Sequence, residues 1–310
     1  MRANDDIIRA TAAQARNGHA APSDDGVDLW VSPERIDRPR ISLIIPALNE
    51  EKLIVRTLEC FPRAALLRCG AELIVSDGGS RDRTTEICRE WADVIATHTA
   101  PRRQTIAEGR NLGAAQARGE LLVFINGDTV PQVPGEFLEA LVALVDEEEG
   151  KGEKGKEEGS RVGMSLETSP GRRRRSGTRP IVAWACPVAI APGERRLSDR
   201  LFHGFFNSYV RFLNAIGLGM GRGECQVVRR DVFEKVGGYH AHMAAGEDFD
   251  LYRRLTEHGA IGHVAALRVY ESPRRFRRFG YVRVLFEWTL NGMAVMILGR
   301  SIAKEWEEIR

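Results

Sequence analysis

Five consecutive apolar residues, Leu121 to Ile125, end abruptly on Asn126-Gly127-Asp128, and this stretch sets the tightest limit on what the chain can become. A strand with one wet face alternates polar and apolar side chains. An unbroken apolar run reads instead as a strand covered on both faces, as in a parallel sheet held between helices. The polar triplet then falls at a strand's carboxyl end, where open α/β sheets form their ligand crevices. A carboxylate at that point, Asp128, is suited to hold a divalent cation against a substrate phosphate. The triplet also fits an ordinary turn, since Asn-Gly is a common turn dipeptide and Asp is a good helix cap.

The surrounding chain repeats the theme. Ile41, Leu43, Ile44 and Ile45 predict a short strand closed by Pro46, with Leu53, Val55, Leu58 and Phe61 as the buried face of the next helix. A second strand is expected at Glu72 to Val75, followed by the turn DGGSRDRT at 77–84 and a helix through Trp91. A third strand spans Asp93 to Thr97, and a helix from Gln104 to Arg118 carries Gly109 and Gly113, which suggest close packing.

Beyond the central strand, the pattern predicts a helix over Glu136 to Glu147 and a strand from Ile181 to Ile190. A helix rich in aromatic residues follows, with Phe202, Phe205, Phe206, Tyr209 and Phe212, and then a strand near Gln226 to Arg229. Asp231 starts a short helix that Gly237-Gly238 stops, and the helix at 245–255 holds Glu247, Asp248 and Asp250 in its first turn. Strands alternating with helices of this length define an α/β fold with a largely parallel sheet. Neither G-x-G-x-x-G after the first strand nor a P-loop occurs, so the two commonest phosphate cradles are missing.

Composition divides the 310 residues into parts. Residues 1–38, rich in Ala, Asp, Asn and Arg, lack apolar periodicity and read as a flexible extension; 39–275 form the main domain; 276–310 form an amphipathic helical segment. Residues 147–179, mostly Glu, Lys, Gly, Ser and Arg, bury too little apolar surface to offset their ordering entropy and read as a disordered insertion. The arginine run at 172–175 lies near glutamates and lacks interleaved aromatics, so nucleic acid is not the expected partner. The five scattered cysteines show no zinc spacing and suit a reduced, cytoplasmic compartment. No secretory signal and no membrane-spanning run is expected, while Arg274, Arg275, Arg277 and Arg278 beside the apolar C-terminal segment allow peripheral contact with a membrane.

Taken together, IPALNEE at 45–51, DGGSRDRT at 77–84, GRNLGAAQARGELLVFINGD at 109–128, RRDVFEKVGGY at 229–239 and GEDFDLYRRL at 246–255 resemble family 2 glycosyltransferases in content and order. The resemblance covers roughly residues 41–275 outside the charged insertion. It implies a GT-A fold, with a mixed, mostly parallel sheet flanked by helices, and inverting transfer of a single sugar from a nucleotide-diphosphate donor to an acceptor hydroxyl. By position, Pro46, Asn49 and Glu50 are expected near the nucleotide, Asp77 near the base or ribose, and Arg110 along the donor. Asn126-Gly127-Asp128 matches the Asp-x-Asp site, with Asp128 holding Mn²⁺ or Mg²⁺. Asp248 matches the family's general base, with Glu247 helping to orient it, although carboxylates in a helix's first turn also serve as caps.

Two residues depart from the family pattern. Asn126 stands where Asp is usual, removing one negative charge from the metal site, and only Asp77 precedes the Gly-Gly turn where many relatives have two acids. Ser272-Pro273-Arg274-Arg275 resembles an element that closes over the diphosphate in some members, and a plain basic loop fits it equally. The Q-x-x-R-W string of processive synthases is absent. The acceptor stays open, a lipid-linked one among the choices. Two other functions also stay open: a nucleotide-sugar-binding protein of this fold without catalysis, and a sugar nucleotidyltransferase.

Overall fold

The computed structural model describes residues 26–152, 179–243, 245–298 and 301. Its strands are β1 (Val27–Val31), β2 (Ile41–Ala47), β3 (Ala71–Asp77), β4 (Val94–His98), β5 (Leu121–Ile125), β6 (Val130–Pro131), β7 (Ile181–Ala185), β8 (Val188–Ala189), β9 (Cys225–Arg229), β10 (Ala260–Gly262) and β11 (Val269–Tyr270). Eight of them form one sheet in the order β1-β4-β3-β2-β5-β9-β7-β10, and β6, β11 and β8 form a small second sheet. The segment β4-β3-β2-β5 is parallel throughout, and β1 and β9 join it antiparallel. The fold is therefore mixed α/β with a mostly parallel centre.

The helices are α1 (Ile54–Leu58), α2 (Arg63–Cys69), α3 (Thr84–Cys88), α4 (Ile106–Gln116), α5 (Pro134–Gly152), α6 (Leu197–Ala215), α7 (Arg230–Lys235), α8 (Glu247–Leu255), α9 (Arg274–Phe279) and α10 (Tyr281–Leu298). They cover both faces of β5, all five of whose residues are buried. Leu121, Val123 and Ile125 pack with Phe61, Phe137 and Leu141 on one side. Leu122 and Phe124 pack with Phe233, Leu251 and Tyr252 on the other. Each such buried side chain contributes about 1.5–3 kcal/mol relative to exposure, which is why the strand needs no polar face.

The strand order fixes where a ligand can sit. From β2 the chain builds β3 and β4 to one side, then crosses back to lay β5 on the other. The crossover helix α4 opens with a reciprocal cap: the Glu108 N–H donates to Thr105 Oγ1 (3.1 Å) and the Thr105 N–H to Glu108 Oε2 (2.9 Å). It then lies close on the sheet, where a Cβ added at Gly113 would stand 2.4 Å from Ile44 Cγ2. Gly113→Ala is expected to lower stability by about 1–3 kcal/mol through overpacking, measurable as a fall in the urea midpoint. The consequence of the crossover is a split between the carboxyl ends of β2 and β5, the switch point at which such sheets bind ligands.

Four expectations need correction. Residues 27–31 lie within the expected N-terminal extension, yet they form edge strand β1 against β4, with Trp30 packed on the core; residues 1–25 lie outside the described residues. The strand expected from Ile181 to Ile190 breaks at Pro187, which has no N–H for a ladder, so Val188 and Ala189 pass to the second sheet. The buried face of α1 and the turn after it is Ile54, Thr57, Leu58 and Phe61, leaving Leu53 and Val55 partly exposed. Helix α5 runs to Gly152, past the expected start of the insertion, and 153–178 lie outside the described residues. Among the described residues, no helix is long and apolar enough to cross a membrane.

Candidate active site

At the switch point the Asn126-Gly127-Asp128 turn leaves β5, and three bonds set its shape. The Asn126 N–H donates to Glu224 O (3.1 Å), the Thr129 N–H to Asn126 O (3.0 Å), and Thr57 Oγ1 to Gly127 O (2.9 Å). Beside it, the loop after β2 is fastened to the Gly-Gly turn. Asn49 sits in the left-handed region (φ 53°), its N–H donates to Ser80 Oγ (2.8 Å), and its Oδ1 accepts from the Arg81 N–H (2.9 Å). The Glu50 N–H donates to Thr84 Oγ1 (2.9 Å).

Between these loops lies a cavity of about 630 Å³. Pro46, Asn49, Glu50, Arg110, Asn126 and Asp128 line it from the first half of the chain, and Glu247, Asp248, Arg274 and Arg275 from the second. Asp77 is the expected site residue that the structure leaves out of the lining. Its carboxylate is turned back to accept the Gly79 and Ser80 N–H groups (3.1 and 3.0 Å), a local turn bond that competes with any ligand.

Two arginines hold the two halves together. Arg110, 1% exposed, donates to Glu247 Oε1 (2.6 Å), Gly223 O (2.6 Å) and Asn126 Oδ1 (3.2 Å), so one guanidinium ties α4, the Asn126-Gly127-Asp128 turn and the start of α8. Asn126 accepts this bond as a neutral amide. Arg274 donates to Glu50 Oε1 (3.1 Å) and Asp128 Oδ2 (3.0 Å), placing a cation directly between the two carboxylates. Burial pushes the Glu50 carboxyl above its usual range, Arg274 opposes the shift, and the nearby Asp128 charge adds to it.

Across the cavity, Asp248 enters on the first turn of α8, where Gly246 (φ 76°) starts the helix without a side chain. Its pKa is pushed up to about 7 by burial and then by the Glu247 charge, against the pull of Arg110 and of the Phe249 N–H that donates to its Oδ1 (2.8 Å). A carboxylate that exchanges its proton near neutrality is suited to general-base work. The third acid of the turn, Asp250, pairs instead with Arg254 (2.7 Å) and His240 (3.0 Å).

One cluster in the cavity wall escaped the sequence reading. Arg222, 2% exposed, donates to Glu224 Oε1 (3.0 Å) and Glu271 Oε1 (3.0 Å) and lies over the Phe206 ring at 4.9 Å. Burial would raise the Glu224 carboxyl, but the Arg222 charge and hydrogen bond hold it at about 2. Burial and the Glu224 charge push Glu271 well above the usual range, and Arg222 opposes the shift. The only signal in the sequence was the crowd of glycines at 217–223. A Cβ added at Gly221 would meet the Tyr252 ring at 2.4 Å, so a larger residue there would push this loop off α8.

The donor chemistry at Asp128 suits a hard divalent cation. Its ligands there would be carboxylate oxygens of Asp128, with Glu50 beside it, and among the described residues no group of three or more His, Cys, Asp or Glu side chains is disposed to hold a metal. Such an ion would take its remaining oxygens from a phosphate-bearing substrate and water, the usual arrangement for Mg²⁺.

A cleft of this size at the switch point of a mixed α/β sheet, with acids on both walls, is where a ligand is expected to bind. The profile of "Glycosyl transferase family 2" matches residues 42–237, and the chain belongs to that family. It is 25% identical over 224 residues to the glycosyltransferase AglE of Haloferax volcanii, covering 71% of this chain and 62% of AglE. It is 26% identical over 118 residues to the probable glycosyltransferase YdaM of Bacillus subtilis, covering 36% of this chain and 28% of YdaM. The chain thus spans less than two thirds of the length of these relatives. In fold it is similar to the mannosyltransferase PcManGT from Pyrobaculum calidifontis, solved in complex with GDP-Man and Mn²⁺, with TM-score 0.56, 17% identity, and coverage of 96% of this chain and 73% of that one.

Proposed function

We propose that the chain is a metal-dependent, inverting glycosyltransferase that moves one sugar from a nucleotide-diphosphate sugar to an acceptor hydroxyl. The observation that carries this reading is the single cavity lined by both Asp128 and Asp248. In this reading Asp128 serves the donor's diphosphate and Asp248 the acceptor. Family membership supports it, as does the Mn²⁺ and GDP-Man complex of the structural relative.

In the proposed reaction the acceptor oxygen forms a bond to the anomeric carbon while the bond from that carbon to the diphosphate oxygen breaks. The acceptor proton passes to an Asp248 carboxylate oxygen, and the electron pair of the broken bond leaves with the nucleoside diphosphate. A divalent cation held by Asp128, when bound, neutralises charge developing on the diphosphate. Glu50 and Arg274 stand beside that position, and Arg274 supplies a second positive group to the leaving oxygens. Arg110 fixes Glu247 and hence the first turn of α8, which holds Asp248 in line. The five free cysteines suit a reducing compartment, and we place the protein in the cytoplasm.

Release of nucleoside diphosphate from a panel of UDP-, GDP- and dTDP-sugars with Mn²⁺ tests the reading. Metal-dependent release from one nucleotide class is expected, and its removal by Asp128→Ala. Donor binding without any release, in the presence of acceptor extracts, would favour the binding-only alternative.

Arg274 adds a separate prediction. Because its guanidinium occupies the space between Glu50 and Asp128, Arg274→Ala is expected to raise Mn²⁺ affinity severalfold in the absence of nucleotide while lowering kcat with it. Titration of Mn²⁺ followed by tryptophan fluorescence reads the first effect.

A further inference from the structure

Helix α6 is apolar on two faces, and among the described residues only one of them is covered. Phe202, Phe206, Val210 and Leu213 point inward, and α10 packs beside them, with the Phe206 and Trp288 ring centroids 5.5 Å apart. The other face of α6 presents Leu201, Phe205 and Phe212, and α10 presents Val282, Phe286 and Leu290, all exposed. Phe212 is 59% exposed and Val282 85%. Exposed apolar side chains gathered in this way on two packed helices mark an interaction site.

Its border is strongly basic. Arg195, Arg196, Arg200 and Arg211 are exposed on or just before α6, against one exposed acid, Glu194; the acid within α6, Asp199, is buried and paired to Arg277 (2.5 Å). Between Glu271 and Glu287 the chain carries five arginines and no acid, and of these Arg278 and Arg283 are exposed, Arg283 beside Glu287 (2.7 Å). Apolar stripes bordered by arginine suit the boundary between headgroups and acyl chains of an anionic bilayer. A second copy fits less well, because a two-fold interface sets each patch against itself and brings arginine against arginine. The patch also runs into the cavity: Tyr209 and Leu218 are exposed on it and line the site.

We infer that the α6–α10 face docks on an anionic membrane surface, with the cavity rim at Tyr209 and Leu218 turned toward the lipid. This goes beyond the transfer reading and is measured without any donor. A consequence that does rest on that reading is an acceptor hydroxyl carried by an amphiphile, which reaches the cavity along the same face.

Flotation of the full chain with phosphatidylcholine vesicles, with and without about one third phosphatidylglycerol, tests the docking. Co-flotation is expected only with the anionic vesicles and is expected to weaken at high salt. Two variants that avoid the cavity lining, Phe205→Ser/Phe212→Ser/Phe286→Ser and Arg195→Glu/Arg196→Glu/Arg200→Glu, should each lose at least about tenfold in vesicle affinity. Their thermal midpoints should stay near that of the natural sequence, since the replaced groups are exposed. Absence of co-flotation by the natural sequence, or co-flotation that survives both variants, overturns the proposal. So does a dimer on size exclusion that the triple-serine variant dissociates while vesicle binding stays unchanged. Docking with no nucleoside diphosphate released from any donor would instead count against the transfer reading alone.

Discussion

Asp248→Asn is expected to reduce kcat by on the order of 10²–10⁴ while leaving donor binding nearly unchanged, because a general base acts in the transition state and Asn cannot take the proton. The variant keeps the shape of the side chain and its place at the start of α8. The natural sequence should show a kcat that rises with pH through about 7 and levels off above it, since only the ionised carboxylate accepts a proton. Stability should move the other way. With its folded pKa above the ordinary 3.8, Asp248 contributes stability that is fully present below that value and lost as pH rises through about 7. The Asn variant does not titrate, so its thermal midpoint should gain on that of the natural sequence as pH increases from 4 to 8. A variant that is less active and more stable above neutrality is the signature of a carboxylate buried for function. Unchanged turnover would remove Asp248 from the mechanism.

Arg110→Met is expected to cost about 3–5 kcal/mol, the largest stability effect in the site, because it leaves the Glu247 carboxylate buried without its partner. Both groups are almost wholly enclosed, so solvent does little to screen the loss. For a domain of this size the fall in thermal midpoint is on the order of 10 °C. Adding Glu247→Leu should recover much of it, since the pair is then replaced by apolar groups instead of broken. Recovery of stability without recovery of kcat would separate the two duties of this pair, holding the fold and orienting α8. If the single variant unfolds at the natural midpoint, the buried pair has no such role.

What could be read from the sequence follows physical lines. The central strand was legible because covering both faces of β5 demands an uninterrupted apolar run, and Gly113 was legible because α4 touches Ile44. Asp128 and Asp248 were reached through the order of five short strings, each too weak to stand alone. Bonds between distant residues were not legible. Arg274 meets Asp128 across 146 positions, and Arg222 meets Glu271 across 49, and no local pattern encodes either pairing. The Asp77 pairing is of the opposite, purely local kind: its carboxylate accepts from the N–H groups of its own turn. Edge strand β1 is only five residues long and is interrupted by Asp28, so its periodicity is lost among the polar residues around it.

The most direct test of the central claim is calorimetric titration of nucleotide sugars into the natural sequence, Asp128→Ala and Asp248→Asn, each with and without Mn²⁺. The account predicts that one nucleotide class binds the natural sequence tightly only with metal, that Asp128→Ala loses this metal dependence and most of the affinity, and that Asp248→Asn retains both. Donor binding that ignores both Mn²⁺ and the loss of the Asp128 carboxylate would contradict it.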